Sequence, residues 1–399
     1  MQLVSQDRDA QPNAGAPVLA LGFRPFYLLA AAFATAALPL WLAMYTGGLG
    51  LTGYLSGVAW HNHEMLFGFA PAVVAGFLLT AVRNWTGLPT LNGAALGALA
   101  TTWILARLLI VTGPAPAAAV VDVLFLPLLG IAIAVPIWRS RNARNVKILA
   151  VVAALAALNA VLHLAYLGYL SGSWAATAMR LGLDLLTLLM AIVGGRVIPV
   201  FTANAIAGAR PRRVTVVEFA AFGTLLLILA GEAAGASRWL PAGVWIAVLA
   251  LSALAHALRL ALWEPVATRS NALLAMLPVA YGWIPVSLAL RALGAADIVA
   301  ATAATHALTI GAMGSLMLAM MMRSALGHTG RALAAGRSEL AAFVLLQLAV
   351  LARVLGVVMP APYLESVILS GLLWSLAFAV FLLRYAPILT RPRVDGKPG

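Results

Sequence analysis

The stretch HNHEMLFGFAPAVVAGFLLTAV, His61 to Val82, decides the fold. After Glu64 it runs to Val82 without a charge, about the length a helix needs to cross the hydrocarbon core of a bilayer. Runs of this kind recur from end to end, at about 26–46, 62–83, 93–112, 117–138, 146–171, 176–199, 215–236, 241–262, 272–294, 298–323, 338–358 and 364–386. None alternates with period two, so the spans are helices rather than barrel strands. Composition agrees: 63% of residues are apolar and 9% charged, and mean hydropathy is +0.99. A soluble domain carries roughly a quarter charged residues. The sequence predicts an all-α, polytopic membrane protein of about twelve transmembrane helices.

No soluble domain interrupts the spans, so residues 26–386 form one membrane domain, between an arm at 1–25 and a tail at 387–399. The arm has no early apolar segment and does not read as a cleavable signal peptide. Basic residues collect after even-numbered spans: Arg83; Arg139, Arg141, Arg144 and Lys147; Arg210, Arg212 and Arg213; Arg269; Arg331 and Arg337; Arg391, Arg393 and Lys397. The other face has almost nothing basic except Arg238. By the positive-inside rule both termini are cytoplasmic, and the location is a cytoplasmic membrane. The net charge of +13 then describes a skirt facing anionic membrane lipid. Nucleic-acid binding would need a soluble basic surface, for which there is no room. The chain has no cysteine, which excludes disulfides, thiolate copper sites and cysteine-held iron–sulfur clusters.

Ionisable groups inside a span are expensive, so each is a functional candidate. The chain has six histidines. His61, His63, His163 and His306 fall in the outer half, while His256 and His328 lie toward the cytoplasmic side. His61 and His63 cannot face one point if both are helical, being roughly 200° apart around the axis. Either His61 bends back from a loop or the two serve different partners. A shift of 243 positions lays His63 on His306, Gly68 on Gly311, Thr86 on Thr329 and Gly87 on Gly330. A parallel repeat relating spans 2 and 10 would present one histidine from each at similar depth, the geometry of a bis-histidine haem; helix capping is the alternative. Glu64 is placed to orient an imidazole. Arg107, Arg180, Asp184 and Arg353 are counter-ions for one another or, for the arginines, partners for haem propionates.

A second polar set lies at the cytoplasmic ends: Arg24, Asn84, Trp85, Arg196, Thr202, Asn204, Arg323 and His328. Pro199 is expected to break span 6 beside Arg196. The alternatives are a lined site and a packing network that locks span ends.

The stretches LGFRPFYLLA, WHNHEMLFGFAPAVVAGFLLTAVRNWTG, GGRVIPVFTAN and HALTIGAMGSLMLAMMMRSALGHTGR together resemble the NnrS family of bacterial inner-membrane proteins. The resemblance runs from about residue 20 to the C-terminus. It implies a twelve-span protein holding haem b and copper, associated with nitric oxide metabolism and protection against nitrosative stress. Two positions depart from the family pattern: Arg83 stands where Pro is usual, and Pro278 where span 9 usually has a histidine. Span 2 is also similar to the second helix of the haem–copper oxidases and nitric oxide reductases, whose low-spin haem takes its other ligand from the tenth helix; spans 6 and 7 here lack the histidines of that superfamily's active-site metal.

The leading expectation is a haem held by His63 and His306, with copper at some of His61, His163 and His328. Nitric oxide or a related small ligand is the expected partner, with an electron donor the sequence does not name. Rival classes are a transporter or channel without redox chemistry, and a haem-based sensor or assembly factor.

Overall fold

The computed structural model describes residues 16–50, 53–359 and 362–397; most of the expected N-terminal arm lies outside these. Among the described residues, twelve helices are long and apolar enough to cross a membrane: α1 Phe23–Tyr45, α2 Gly57–Thr86, α3 Gly93–Thr112, α4 Ala115–Arg139, α5 Ala143–Tyr166, α6 Gly172–Ala205, α7 Thr215–Ala233, α8 Ala242–Ala261, α9 Ala272–Ala295, α10 Ala301–His328, α11 Arg337–Val358 and α12 Tyr363–Thr390. No strand occurs among the described residues. The chain is a multi-pass membrane protein, and each helix matches one apolar run. The helical domain is slightly longer at both ends than hydropathy predicts. Arg24 sits in the first turn of α1, buried, where its Nη1 donates to the carbonyls of Leu389 (2.9 Å) and Arg391 (2.7 Å) at the end of α12.

The three most buried helices are α2, α6 and α10, every fourth one, and they touch one another at the centre. The other nine wrap outside in three arcs: α3–α4–α5, α7–α8–α9 and α11–α12–α1. Small residues allow this close packing, which in lipid relies on van der Waals contact rather than hydrophobic exclusion. The face carrying the chain ends is called the terminal face below, and its opposite the distal face.

Two central helices widen locally into π-helix, α2 over Glu64–Phe69 and α10 over Ala307–Gly314. These segments lie at corresponding places under the 243-position shift, each starting directly after His63 or His306. Such widened turns free backbone carbonyls and need outside partners. In α2, Trp103 Nε1 of α3 donates to Gly68 O at 3.0 Å. In α10, Ser315 reaches back to Ile310 O (3.4 Å) and accepts from Gln347 of α11 (2.7 Å), which in turn holds Trp283 of α9 (2.9 Å). The paired glycines are sites of close approach: a side chain at Gly68 would collide with the Arg107 guanidinium, and one at Gly311 with the Trp283 ring.

One expectation of the sequence is overturned. Pro199 does not break the sixth span; α6 continues unbroken to Ala205. Proline removes the donor that would bond the carbonyl of Gly195, four residues earlier. Arg213, from the connection before α7, donates its Nη2 to that carbonyl, and the helix continues past the defect. Of the two departures from the family pattern, Arg83 is exposed in the last turn of α2, and Pro278 is buried within α9.

Candidate functional site

His61 and His63 are both helical and therefore serve different partners. His63 turns toward the α3–α4–α5 arc, and both of its ring nitrogens meet carboxylates: Nδ1 lies 2.9 Å from Glu64 Oε1, and Nε2 lies 3.2 Å from Asp122 Oδ2. The same Oδ2 receives His163 Nε2 at 2.9 Å and Asn159 Nδ2 at 2.7 Å, while Arg107 Nη2 pairs with Oδ1. Arg107 Nη1 also lies 3.1 Å from Glu64 Oε2. All six side chains are buried. Two carboxylates thus face one guanidinium and two imidazoles, which matches opposite charges where desolvation would otherwise be prohibitive.

The ligand atoms of His63, Asp122 and His163 lie within 4.8 Å of one another, close enough to hold a metal ion. Both imidazoles aim Nε2 at Asp122, and each has its Nδ1 engaged: Glu64 holds that of His63, and the Tyr54 hydroxyl lies 3.1 Å from that of His163. An engaged second nitrogen is how proteins orient a metal-bound imidazole. Tyr54 lies in the connection before α2. Burial pushes its phenol up to about 12, with a smaller push from Tyr166, so it stays a hydroxyl at neutral pH.

His61 faces the opposite way, into a cavity of about 120 Å³ bounded by α1, α2, α6, α10, α11 and α12. His306 and Arg353 line the same cavity. The Trp41 ring stacks on His61 at 4.1 Å between centroids. His306 Nδ1 donates to Thr302 O at 2.7 Å, which leaves Nε2 with its lone pair. Several buried polar atoms on this wall have no hydrogen-bond partner among the described residues: His61 Nδ1, Arg353 Nη1 and the indole nitrogens of Trp41 and Trp374. Orphaned buried groups are rare and call for a ligand, ion or water.

The structure does not bring His63 and His306 together as the sequence predicts. His306 shares its cavity with His61, while the wall does not include His63. The physical reason is the half-turn offset between neighbouring α2 histidines, combined with carboxylates on α2 and α4 that claim both nitrogens of His63. The three copper candidates are likewise separated. His61 lines the cavity, His163 belongs to the Asp122 cluster, and His328 sits at the terminal end of α10, its ring 5.6 Å from that of Phe23.

The expected counter-ions also sort differently. Asp184 pairs with Arg291 of α9 (2.6 Å), which also binds Glu232 (2.7 Å); Arg180 joins Glu232 at 3.1 Å. These line a separate cavity of about 310 Å³ among α6–α10. Arg107 belongs to Glu64 and Asp122, and only Arg353 faces the His61–His306 cavity. Asp122, Asn159, Glu232, Arg291 and Tyr54 carry no expectation in the sequence analysis, although a lone acid in the apolar run AVVDVLFL marks Asp122.

At the terminal face the polar residues form pairwise locks rather than one lined site. Arg196 lies over the Trp85 ring (5.6 Å) and donates to Asn145 (2.6 Å), and Arg323 lies over Phe201 (4.1 Å). Thr202 bonds back to Ile198, and Asn84 and Asn204 are exposed.

The profile of a family described as NnrS protein matches residues 17–393, nearly the whole chain. The chain belongs to the NnrS family. Membership agrees with the motifs quoted above and points to metal binding and a role in the response to nitric oxide. A comparison with curated proteins finds no match. In this NnrS-family chain the Asp122 cluster and the His61–His306 cavity lie in the distal half, on opposite sides of α2.

Proposed function

We propose that this protein holds a haem b in the His61–His306 cavity and a copper ion at His63, Asp122 and His163, and acts on nitric oxide in a bacterial cytoplasmic membrane. The observation that carries the haem assignment is the cavity wall. It combines two imidazoles, an arginine with a free donor and unpartnered indole nitrogens with a mostly apolar and aromatic surface. That mixture suits a flat apolar group with an iron centre and carboxylate arms. Met65, Met179 and Met313 on the same wall are flexible enough to yield to it.

His306, fixed through Nδ1, would hold the iron through Nε2, and His61, stacked on Trp41, would offer a second imidazole. Arg353 on the same wall would meet a propionate, since guanidinium binds carboxylate in a fork. Held by both imidazoles, the iron would supply one-electron transfer. The two imidazoles and one carboxylate of the second site suit copper better than magnesium or calcium. Arg107 and Glu64 hold that site's charge balance, and Asn159 keeps the Asp122 carboxylate oriented.

Spectroscopy of purified protein tests both assignments. The haem reading expects a Soret band that is lost or shifted in His306→Ala and His61→Ala but kept in His63→Ala. Copper content should fall in Asp122→Asn and His163→Ala while the Soret band remains. Colourless, folded protein from haem-replete cells would sink the haem assignment, and retention of the band in both cavity variants would move it elsewhere.

A further inference from the structure

Toward the terminal face from the His61–His306 cavity, α1, α2, α6, α9 and α10 line a second void of about 80 Å³, whose wall presents no polar atom. Val73 and Phe77, Leu186, Met190, Met317 and Met320 form much of it. Tyr27 contributes only ring atoms, because its hydroxyl is bonded to Ser324 at 3.0 Å. Three central helices line both cavities. Phe69 and Met313 on the upper wall stand one helical turn from Val73 and Met317 on the lower one.

Size and chemistry together restrict what this void accepts. Water needs two to four polar partners, and apolar cavities of this kind stay dry. An ion or a hydrogen-bonding solute would lose its hydration without replacement. A volume of about 80 Å³ is room for two or three molecules at the ~30 Å³ that water takes in the liquid. Small uncharged gases fit both limits, and these dissolve more readily in bilayer hydrocarbon than in water.

We infer that this void is a binding site for small uncharged gas molecules drawn from the bilayer, held one helical turn from the His61–His306 cavity. That the gas is nitric oxide rests on the function proposed above; the site itself does not.

Xenon is the probe, applied under pressure to the full chain in nanodiscs with ¹³C-methyl-labelled methionine. The methyl signals of Met190, Met317 and Met320 should shift saturably, while those of Met44 and Met359 at the distal ends of α1 and α11 should not. Val193→Phe, which fills the void from α6, should abolish the shifts, and Val197→Phe serves if that variant does not fold. Leu186→Ala should saturate at lower pressure. Uniform, non-saturating shifts at all methionines, or an unchanged response in a folded filled variant, would overturn the inference. The readout needs no haem, so xenon-binding but colourless protein would sink the haem assignment and leave this site standing, and haem-loaded protein without saturable shifts would do the reverse.

Discussion

Asp122 is the residue on which the buried polar cluster depends. It accepts from His63, His163, Asn159 and Arg107, so its loss strands several donors away from water. Removing one partner of a buried ion pair costs about 3–5 kcal/mol, whereas removing both charges together can be nearly neutral. Asp122→Asn should therefore lower the thermal midpoint in detergent markedly, and Asp122→Asn with Arg107→Gln should recover much of the loss. A double variant no more stable than the single one would show that the pair does not set the cluster's stability. The residue-level limits of sequence reading are visible here. That His61 and His63 diverge follows from helical geometry; that a carboxylate on α4, about sixty positions away, captures His63 does not.

Among the helices, the sixth shows how a local rule is overridden by a distant side chain. Pro199 predicts a break, and Arg213 removes the reason for it by bonding the carbonyl of Gly195. A buried carbonyl left unpaired costs about 1–3 kcal/mol, so Arg213→Ala should destabilise by that order. In a Pro199→Ala background the restored backbone N–H bonds the same carbonyl, and the cost of Arg213→Ala should shrink. A double-mutant cycle on thermal or denaturant unfolding reads this coupling, and strict additivity would refute it. The π segments carry the opposite lesson. The spacing that pairs His63 with His306 and Gly68 with Gly311 is visible in the sequence, and the structure places a widened turn at both positions. Nothing in the residues themselves announced the widening, because it is stabilised from outside, by Trp103, Gln347 and Trp283.

At the scale of the whole molecule, three central helices divide the distal half into three polar regions. One holds the Asp122 cluster, one the Asp184–Glu232–Arg291 network, and one the His61–His306 cavity. The first lies between α2 and its outer arc, the second among α6–α10, and the third among all three central helices and the arc α11–α12–α1, which keeps buried charges close to their partners. The basic residues of the terminal face should hold it in the cytoplasm through the positive-inside bias. A fluorescent reporter fused after Gly399 should be bright and a periplasmic phosphatase fused there inactive; the reverse pattern would invert the proposed orientation.

Hydropathy by itself determined the twelve spans and their all-α character, because a bilayer leaves the backbone no other way to satisfy its hydrogen bonds. The long motifs likewise carried the family. Partner choice was decided only by tertiary structure. His63 went to Asp122 and His163, His306 to a cavity with His61, and Asp184 to Arg291, since each pairing depends on which helices the bundle sets side by side. Apolar spans that look alike to a hydropathy reading differ in their neighbours, and in a low-dielectric interior the neighbours determine what a buried charge can do.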